Sequence, residues 1–417
     1  MRALSVLAPI RSILISVALL LLGNGLINTL LALRGTAEGI STPFLGLIMS
    51  SYFAGFICGS WAGRHLIRRM RHIRTFAFCA AICASAALLH LVFIDPWVWV
   101  LLRFVYGLAY ITLITVIESW LNSQSAASER GRIFAIYMAI NLGALALAQQ
   151  ILRFGSTEGA VLFVVVTVLI CWALLPITLT SKPEPVVPER AWANLRELAR
   201  HTPLPIVTAL LSGLAMGAFW GMAPVYVVKL GFDNAGVAMV MSLTIIGGAV
   251  FQIPVGRFSD RHDRARVLNW ILVLAAVSAA AMPFASYPPA LMALFFVWGG
   301  LAFTLYPLAV AQLVDQLPPE EIISGSAAML MLHGAGCAIA PVLAGTLMGA
   351  LGNHALPGYI ALTLVGLAAY TLYRRRHVSD LTTGAAHFEP LMQAGPESLD
   401  MAFSEFEPED EPARAPA

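Results

Sequence analysis

Charged residues are scarce in this chain. They make up 12% of its 417 residues, whereas 59% are hydrophobic, and the mean hydropathy is +0.79. A soluble domain carries about 25% charged residues, so a water-soluble globular protein is excluded. Cysteine is scarce too. The five, Cys58, Cys79, Cys83, Cys171 and Cys337, all fall in apolar stretches. None has metal-ligand spacing with a histidine partner, which argues against a metal site and a disulfide framework and for small buried apolar residues. Catalytic signatures are missing. There is no P-loop Gly-Lys-Ser/Thr, no His-Glu-x-x-His, no pair of intramembrane aspartates and no nucleophile–base set. ATP drive and enzymatic chemistry are therefore unsupported, and no cofactor is called for.

What the chain has is apolar length. Crossing a bilayer takes roughly 20 apolar residues per helix. Twelve stretches meet that need, over residues 12–33, 43–63, 75–94, 97–121, 132–153, 159–180, 205–228, 237–257, 267–287, 290–314, 324–350 and 357–373. Several are rich in Gly, Ala and Ser, which lets helices approach closely. The first has a basic start like a secretory signal, but its apolar run exceeds a signal core of roughly 7–15 residues and no small-x-small site ends it. It reads as a retained helix.

The few charges are unevenly placed. With the N-terminus inside, the inner loops collect Arg64, Arg68, Arg69, Arg71 and Arg74, then Arg130 and Arg132, then Arg257, Arg261, Arg264 and Arg266, then Arg374, Arg375 and Arg376. Only Arg34, Arg153 and Lys229 fall on the outer side, and Arg103 lies inside a span. Such a bias places both termini in the cytoplasm. From Val378 onward nine acids face Arg414 alone. This tail reads as disordered. The basic body obeys the orientation rule and does not imply nucleic acid.

The second half echoes the first. Tyr106-Gly-Leu-Ala-Tyr110 matches Gly299-Gly-Leu-Ala-Phe303, and the same offset lays Asn141-Leu-Gly143 over Gly334-Ala-Gly336. A nearby offset puts Gly59 over Gly256 and Arg64 over Arg261. An offset of six helices makes the repeats parallel, a transporter plan with its site at the midplane between the halves. The expected organisation is an N-terminal six-helix domain over 1–181, a Pro-rich cytoplasmic linker over 182–204, a C-terminal six-helix domain over 205–377 and the acidic tail over 378–417. An amphipathic Trp192–Arg200 stretch suggests a short surface helix in the linker.

Gly256-Arg-Phe-Ser-Asp260-Arg261-His-Asp263-Arg264-Ala-Arg266, after the eighth span, resembles the G-x-x-x-D-R-x-G-R-R signature of the major facilitator superfamily, which the parallel repeat also suits. The first copy, Gly59-Ser-Trp-Ala-Gly63-Arg64, has Gly63 where aspartate is usual. Arg103-x-x-x-Gly107 is similar to a second signature of that family, and Glu118-Ser-Trp-Leu-Asn122 with Gly131-Arg132 resembles its YcaD-like bacterial branch. The resemblance covers residues 10 to 376. It implies an all-α membrane protein of the major facilitator fold, twelve helices in two parallel six-helix repeats, and transport of a solute.

Physically, Asp260 at a helix end can meet the positive N-terminus of a helix from the other half. The repeat's symmetry places that partner near Ser128–Arg132. Gly59, Arg64, Gly256, Asp260, Arg261 and Arg264 are thus expected to form a cytoplasmic gate, whereas Arg68, Arg69, Arg71 and Arg374–Arg376 only obey the charge bias.

Polar groups inside a membrane are costly and usually functional. Arg103 and Glu118 share the fourth span, about 22 Å apart along a helix, so they do not touch. Glu118 reads either as a structural partner of Arg130 or Arg132 or as a proton carrier, and His333 in the eleventh span either as packing or as a second titrating group. The resemblance makes the first, fourth, seventh and tenth helices cavity-lining. That singles out Asn24, Asn28, Arg103, Trp220, Trp298 and Tyr306, each of which could equally serve helix packing.

The chain therefore reads as a secondary active transporter of the bacterial inner membrane, a monomer coupled to protons. Its solute would be small, organic, and amphipathic or weakly anionic. An uncoupled facilitator, or a signalling or scaffold protein working through its tail, are the alternatives.

Overall fold

In the computed structural model the described residues are 10–125, 129–178, 185, 195–377, 388 and 401. Among them, twelve helices are long and apolar enough to cross a membrane. They are α1 (Arg11–Ala37), α2 (Thr42–Met70), α3 (His72–Val92), α4 (Pro96–Gln124), α5 (Arg130–Ile151), α6 (Val161–Thr178), α7 (Pro203–Lys229), α8 (Asn234–Asp260), α9 (Arg264–Ala281), α10 (Pro288–Val314), α11 (Pro319–Leu351) and α12 (Ala355–His377). All-helical spanning follows from the solvent, because lipid offers backbone groups no partners and a helix satisfies them internally. A short helix, Leu195–His201, precedes α7. Most of the 182–204 linker and of the 378–417 tail lies outside the described residues, as does Ser128.

Helix ends are marked locally. Asp95, Asp233 and Asp263 cap α4, α8 and α9 by accepting backbone N–H groups with their carboxylates. Gly352 ends α11 at φ 91°. The turn between α2 and α3 is the single residue Arg71, left-handed at φ 67° and the one non-glycine with positive φ among the described residues. Helix α10 is broken at Phe303–Thr304 into Pro288–Ala302 and Leu305–Val314. Pro307 explains the break: it has no N–H to give the Phe303 carbonyl, and its ring crowds that carbonyl.

Helix α2 runs past the apolar stretch to Met70, so Arg64, Arg68 and Arg69 stand on its last turns rather than in a loop. Arginine is a good helix former and is favoured at a C-terminus, so nothing stops the helix where the apolar run stops. Asp260 is likewise the last residue of α8, and Arg264 the first of α9.

Helices α1 to α6 pack mainly on one another, through α2 on α4, α1 on α5 and α6, and α3 on α4 and α6. Helices α7 to α12 repeat the pattern, with α8 on α10, α7 on α11 and α9 on α12. The α2–α4 crossing is glycine-tight: Gly55 faces the Phe104 carbonyl, Gly59 the backbone of Leu108, and Gly107 the Tyr52 carbonyl. Gly247 and Gly299 do the same between α8 and α10.

The halves meet through α2 on α11, α5 on α8, and α7 on α1 and α2. Short turns make successive helices antiparallel, so each such contact can be placed along the bundle. Gly46 abuts the Pro341 carbonyl, Gly345 faces Gly46 and Thr42, and the Ser50 hydroxyl accepts the Val342 N–H at 3.1 Å. Lys229 Nζ donates to Thr42 Oγ1. Gln150 Nε2 donates to Ser242 Oγ at 2.6 Å, and Ser242 in turn to the Ala146 carbonyl at 2.9 Å. These contacts lie toward the end that holds the 38–41 and 230–233 turns. Toward the opposite, arginine-rich end, α5 and α8 diverge around a cleft of about 560 Å³, lined by Ala135, Ala139, Ala249, Gln252 and Asp260 among others.

Candidate functional site

Among the described residues, the polar side chains singled out in the sequence gather in three clusters inside the bundle. The first surrounds Arg103. Its side chain is 1% exposed, so it is packed within the first half rather than standing on an open wall. Its Nη2 donates to Asn28 Oδ1 at 2.7 Å, and its guanidinium lies 4.4 Å from the Tyr52 ring centre and 5.7 Å from that of Tyr106. Asn28 is half-buried and is the more open edge of the cluster. Tyr52 donates to Asn24 Oδ1 at 3.4 Å, and Asn24 is fully buried. Three helices thus contribute: α1 the asparagines, α2 Tyr52, and α4 Arg103 and Tyr106. Tyr106 follows Arg103 by three residues, a spacing that puts both on one helix face and was readable in advance. Tyr52 carried no such signal, since a tyrosine in an apolar span also fits plain packing.

The second cluster lies on the same helix nearer the arginine-rich end. Glu118 is buried, and one of its carboxylate oxygens accepts the Tyr137 hydroxyl of α5 at 2.9 Å. Beside it, His72 Nε2 is 3.2 Å from Ser119 Oγ, and its ring stacks on Trp120.

The third cluster is in the second half. His333 Nδ1 is 3.1 Å from Ser212 Oγ, and its ring lies 4.7 Å from that of Tyr306. An aromatic group stands apart from it. Trp298 is fully buried against Phe219, centres 5.1 Å apart, while Trp220 is half-buried against Phe219 and Phe303. Of the six residues expected on the cavity wall, then, Asn24, Asn28 and Arg103 come together, Tyr306 joins His333, and Trp298 and Trp220 share Phe219.

At the arginine-rich end the signature residues form a charge chain within the second half. Arg264 bridges Asp260 and Asp315, each at 3.1 Å, and Arg264 and Asp315 are nearly buried. Arg375 reaches Asp263 at 3.5 Å. Asp260 also accepts the backbone N–H of Phe388, whose ring covers Gly256. The sequence places Asp260 against the start of α5; in this conformation its described partners are Arg264 and Phe388, and the α5–α8 cleft separates the helices. Arg261 is exposed at the end of α8, and Arg64 is half-buried on α2. Asp315 carries no signature of its own, although the offset that lays Asn141 over Gly334 lays Asn122 of the Glu118 motif over it. Among the described residues, no group of three or more His, Cys, Asp or Glu side chains could hold a metal ion.

The repeat, the twelve spans and the signature cluster between α8 and α9 agree with comparison to known proteins. A sequence model of the Major Facilitator Superfamily matches residues 13–248 and 205–395. The chain belongs to the major facilitator superfamily. It is 28% identical over 375 residues to the uncharacterised MFS-type transporter YcaD of Escherichia fergusonii, covering 89% of this chain and 97% of that protein. An uncharacterised MFS-type transporter of Enterobacter sp. (strain 638) is 27% identical over 384 residues, covering 91% and 98%. Among solved structures, a point mutant of the nucleoside transporter NupG superposes with a TM-score of 0.75 at 14% identity, over 88% of this chain and 99% of that one. A bacterial homologue of the lysosomal transporter Spinster, inward-facing and occupied, gives 0.71 at 12%, over 94% and 99%. A D-xylose–proton symporter gives 0.67 at 13%, over 86% and 96%. The chain is a multi-pass membrane transporter of the major facilitator fold, and not an enzyme.

Proposed function

We propose that this protein is a proton-coupled secondary transporter of the bacterial inner membrane, with both termini cytoplasmic, carrying a small organic solute that is amphipathic or weakly anionic. Two six-helix domains, 1–181 and 205–377, rock against each other about a site between them. The observation that carries this reading is the one-sided junction. The halves are sealed by Gly46, Pro341, Gly345, Ser242 and Gln150 at one end and parted by the α5–α8 cleft at the other. A junction whose contacts among the described residues gather at one end is half of an alternating-access cycle.

The charge bias makes the open end cytoplasmic. Asp260, Arg261 and Arg264 border that opening, where closure would bring Asp260 to the N-terminus of α5. Gly59 lets α2 pack closely on α4 at Leu108, Gly256 leaves room for the Phe388 ring over the end of α8, and Arg64 stands for Arg261 in the first half. Glu118 is the proton carrier in this reading. Its carboxylate is held by Tyr137 from a second helix, so its protonation can bias the packing of α4 against α5. His333, between Ser212 and Tyr306, is the corresponding group of the second half. Half-buried Asn28 and Trp220 face the solute, and Asn24, Arg103, Trp298 and Tyr306 back that wall.

The test compares solutes accumulated by cells with and without the protein, before and after a protonophore. The expected outcome is a small set of solutes whose level depends on the protein and loses that dependence when the proton gradient collapses. A dependence that survives the protonophore points to an uncoupled facilitator. No protein-dependent solute at all would sink the transport assignment of this chain.

A further inference from the structure

Among the described residues, Arg103 is a buried cation with no anion beside it. Its single hydrogen bond goes to a neutral amide, Asn28, and its Nε and Nη1 groups have no partner. The titratable side chains around it are Tyr52 on α2, Cys83 and His90 on α3, and Tyr106 on α4. None is an acid. The rings of Tyr52 and Tyr106 compensate the charge in part, but an unpaired charge in a bilayer remains costly.

The hydrogen-bond balance is also one-sided. Both amide acceptors are taken, Asn28 Oδ1 by Arg103 and Asn24 Oδ1 by Tyr52. The donors left over are Arg103 Nε and Nη1, Asn24 Nδ2 and the Tyr106 hydroxyl, all buried, against one unpartnered acceptor, His90 Nε2, whose Nδ1 donates to the Ala86 carbonyl. Donors in excess around a positive charge fit a species that only accepts. Half-buried Asn28 leaves the cluster an open edge.

We infer that Arg103, with Asn24, Asn28 and Tyr106, is a binding site for a small monovalent anion, either the carboxylate of the transported solute or a free halide. The first of these sources rests on the transport reading above. Binding itself does not. An anion there accepts from the guanidinium and from the Asn24 amide and neutralises the charge. The site would then be electrically complete only when occupied.

The experiment is the thermal midpoint of the full-length protein in detergent at constant ionic strength, with isethionate replaced by chloride or acetate. Acetamide, acetate's neutral counterpart in shape, is the control. The expected result is a saturable rise with at least one of the two anions and none with acetamide. A rise with acetate alone assigns the site to a carboxylate, and a rise with chloride alone to a halide. Arg103→Lys should weaken the apparent affinity at least about tenfold, because a point charge cannot present the planar fork. Asn28→Asp puts a carboxylate beside Nη2 with almost no change in volume. It should start with the midpoint of the anion-saturated protein and respond to neither anion. Equal midpoints of the native protein in all four solutions overturn the inference, as does an undiminished response in Asn28→Asp and Arg103→Gln. The readout needs no transport, so a failure of proton-driven accumulation and a failure of this site are separate results.

Discussion

Replacing Gly46 with alanine should push the protein out of the conformation described here. At this position the new Cβ points at the Pro341 carbonyl and the Val342 Cα, which are backbone and cannot swing aside. Gly345 on the facing helix is equally tight against Thr42 and Gly46, so the helices can only separate. Overpacking of this kind costs about 1–3 kcal/mol. That cost applies only while the halves are joined at this end. The gain in helix propensity from glycine to alanine, by contrast, is common to both conformations and cancels. The population with the α5–α8 cleft open should therefore fall by about 5- to 150-fold relative to the alternative. The assay is the labelling rate of a cysteine at Ala139, exposed in that cleft, with a membrane-impermeant maleimide, in a background lacking Cys58 and Cys171. Gly366→Ala, where an added Cβ meets nothing within 4 Å, is the control. Slower labelling in Gly46→Ala alone is the expected outcome. Equal rates in the two variants would refute the claim that this crossing holds the end shut.

Three further outcomes are expected. Glu118→Gln should abolish accumulation against a gradient while keeping solute exchange, since the amide resembles the protonated carboxyl; uphill transport in this variant moves the proton site elsewhere, with His333 next. Asp315→Asn should lower stability by about 2–3 kcal/mol, because it removes a charge-assisted partner from nearly buried Arg264; an unchanged thermal midpoint of the purified protein contradicts this. Arg71→Gly should stabilise the protein by about 1 kcal/mol by relieving a left-handed side chain at the α2–α3 turn, provided that measured topology is unchanged; a lower midpoint shows that the arginine side chain contributes more than its backbone costs.

The spans were legible because bilayer thickness imposes a length that apolar runs reveal directly. Their ends were not, as the extension of α2 to Met70 shows: helix formation and hydrophobicity stop at different places when arginines follow the apolar stretch. The break in α10 had a visible cause in Pro307, but a proline in an apolar span is also tolerated without a break, as Pro224 and Pro254 are within α7 and α8. Arg103 stood out as the only cation well inside a span, and Asn24 and Asn28 by sharing a helix face. Their convergence with Tyr52 depends on how α1, α2 and α4 cross, which no spacing within one helix encodes. Tyr137, one partner of Glu118, was hidden for the same reason. Which end of the bundle is joined was also beyond the sequence, because Asp260 and Arg264 can serve a closed gate or, as here, a charge chain with Asp315 beside an open one.

The most direct test of alternating access is a pair of spin-label distances, one across the cleft between Ala139 and Ala249 and one at the joined end between Ser41 and Asn353. Measured in the full-length protein in lipid at acidic and at alkaline pH, the two distances should each show two populations that exchange in opposite directions, the cleft shortening as the joined end lengthens. A single unchanging distance at both ends, under every pH, would contradict the account that these halves rock about a site between them.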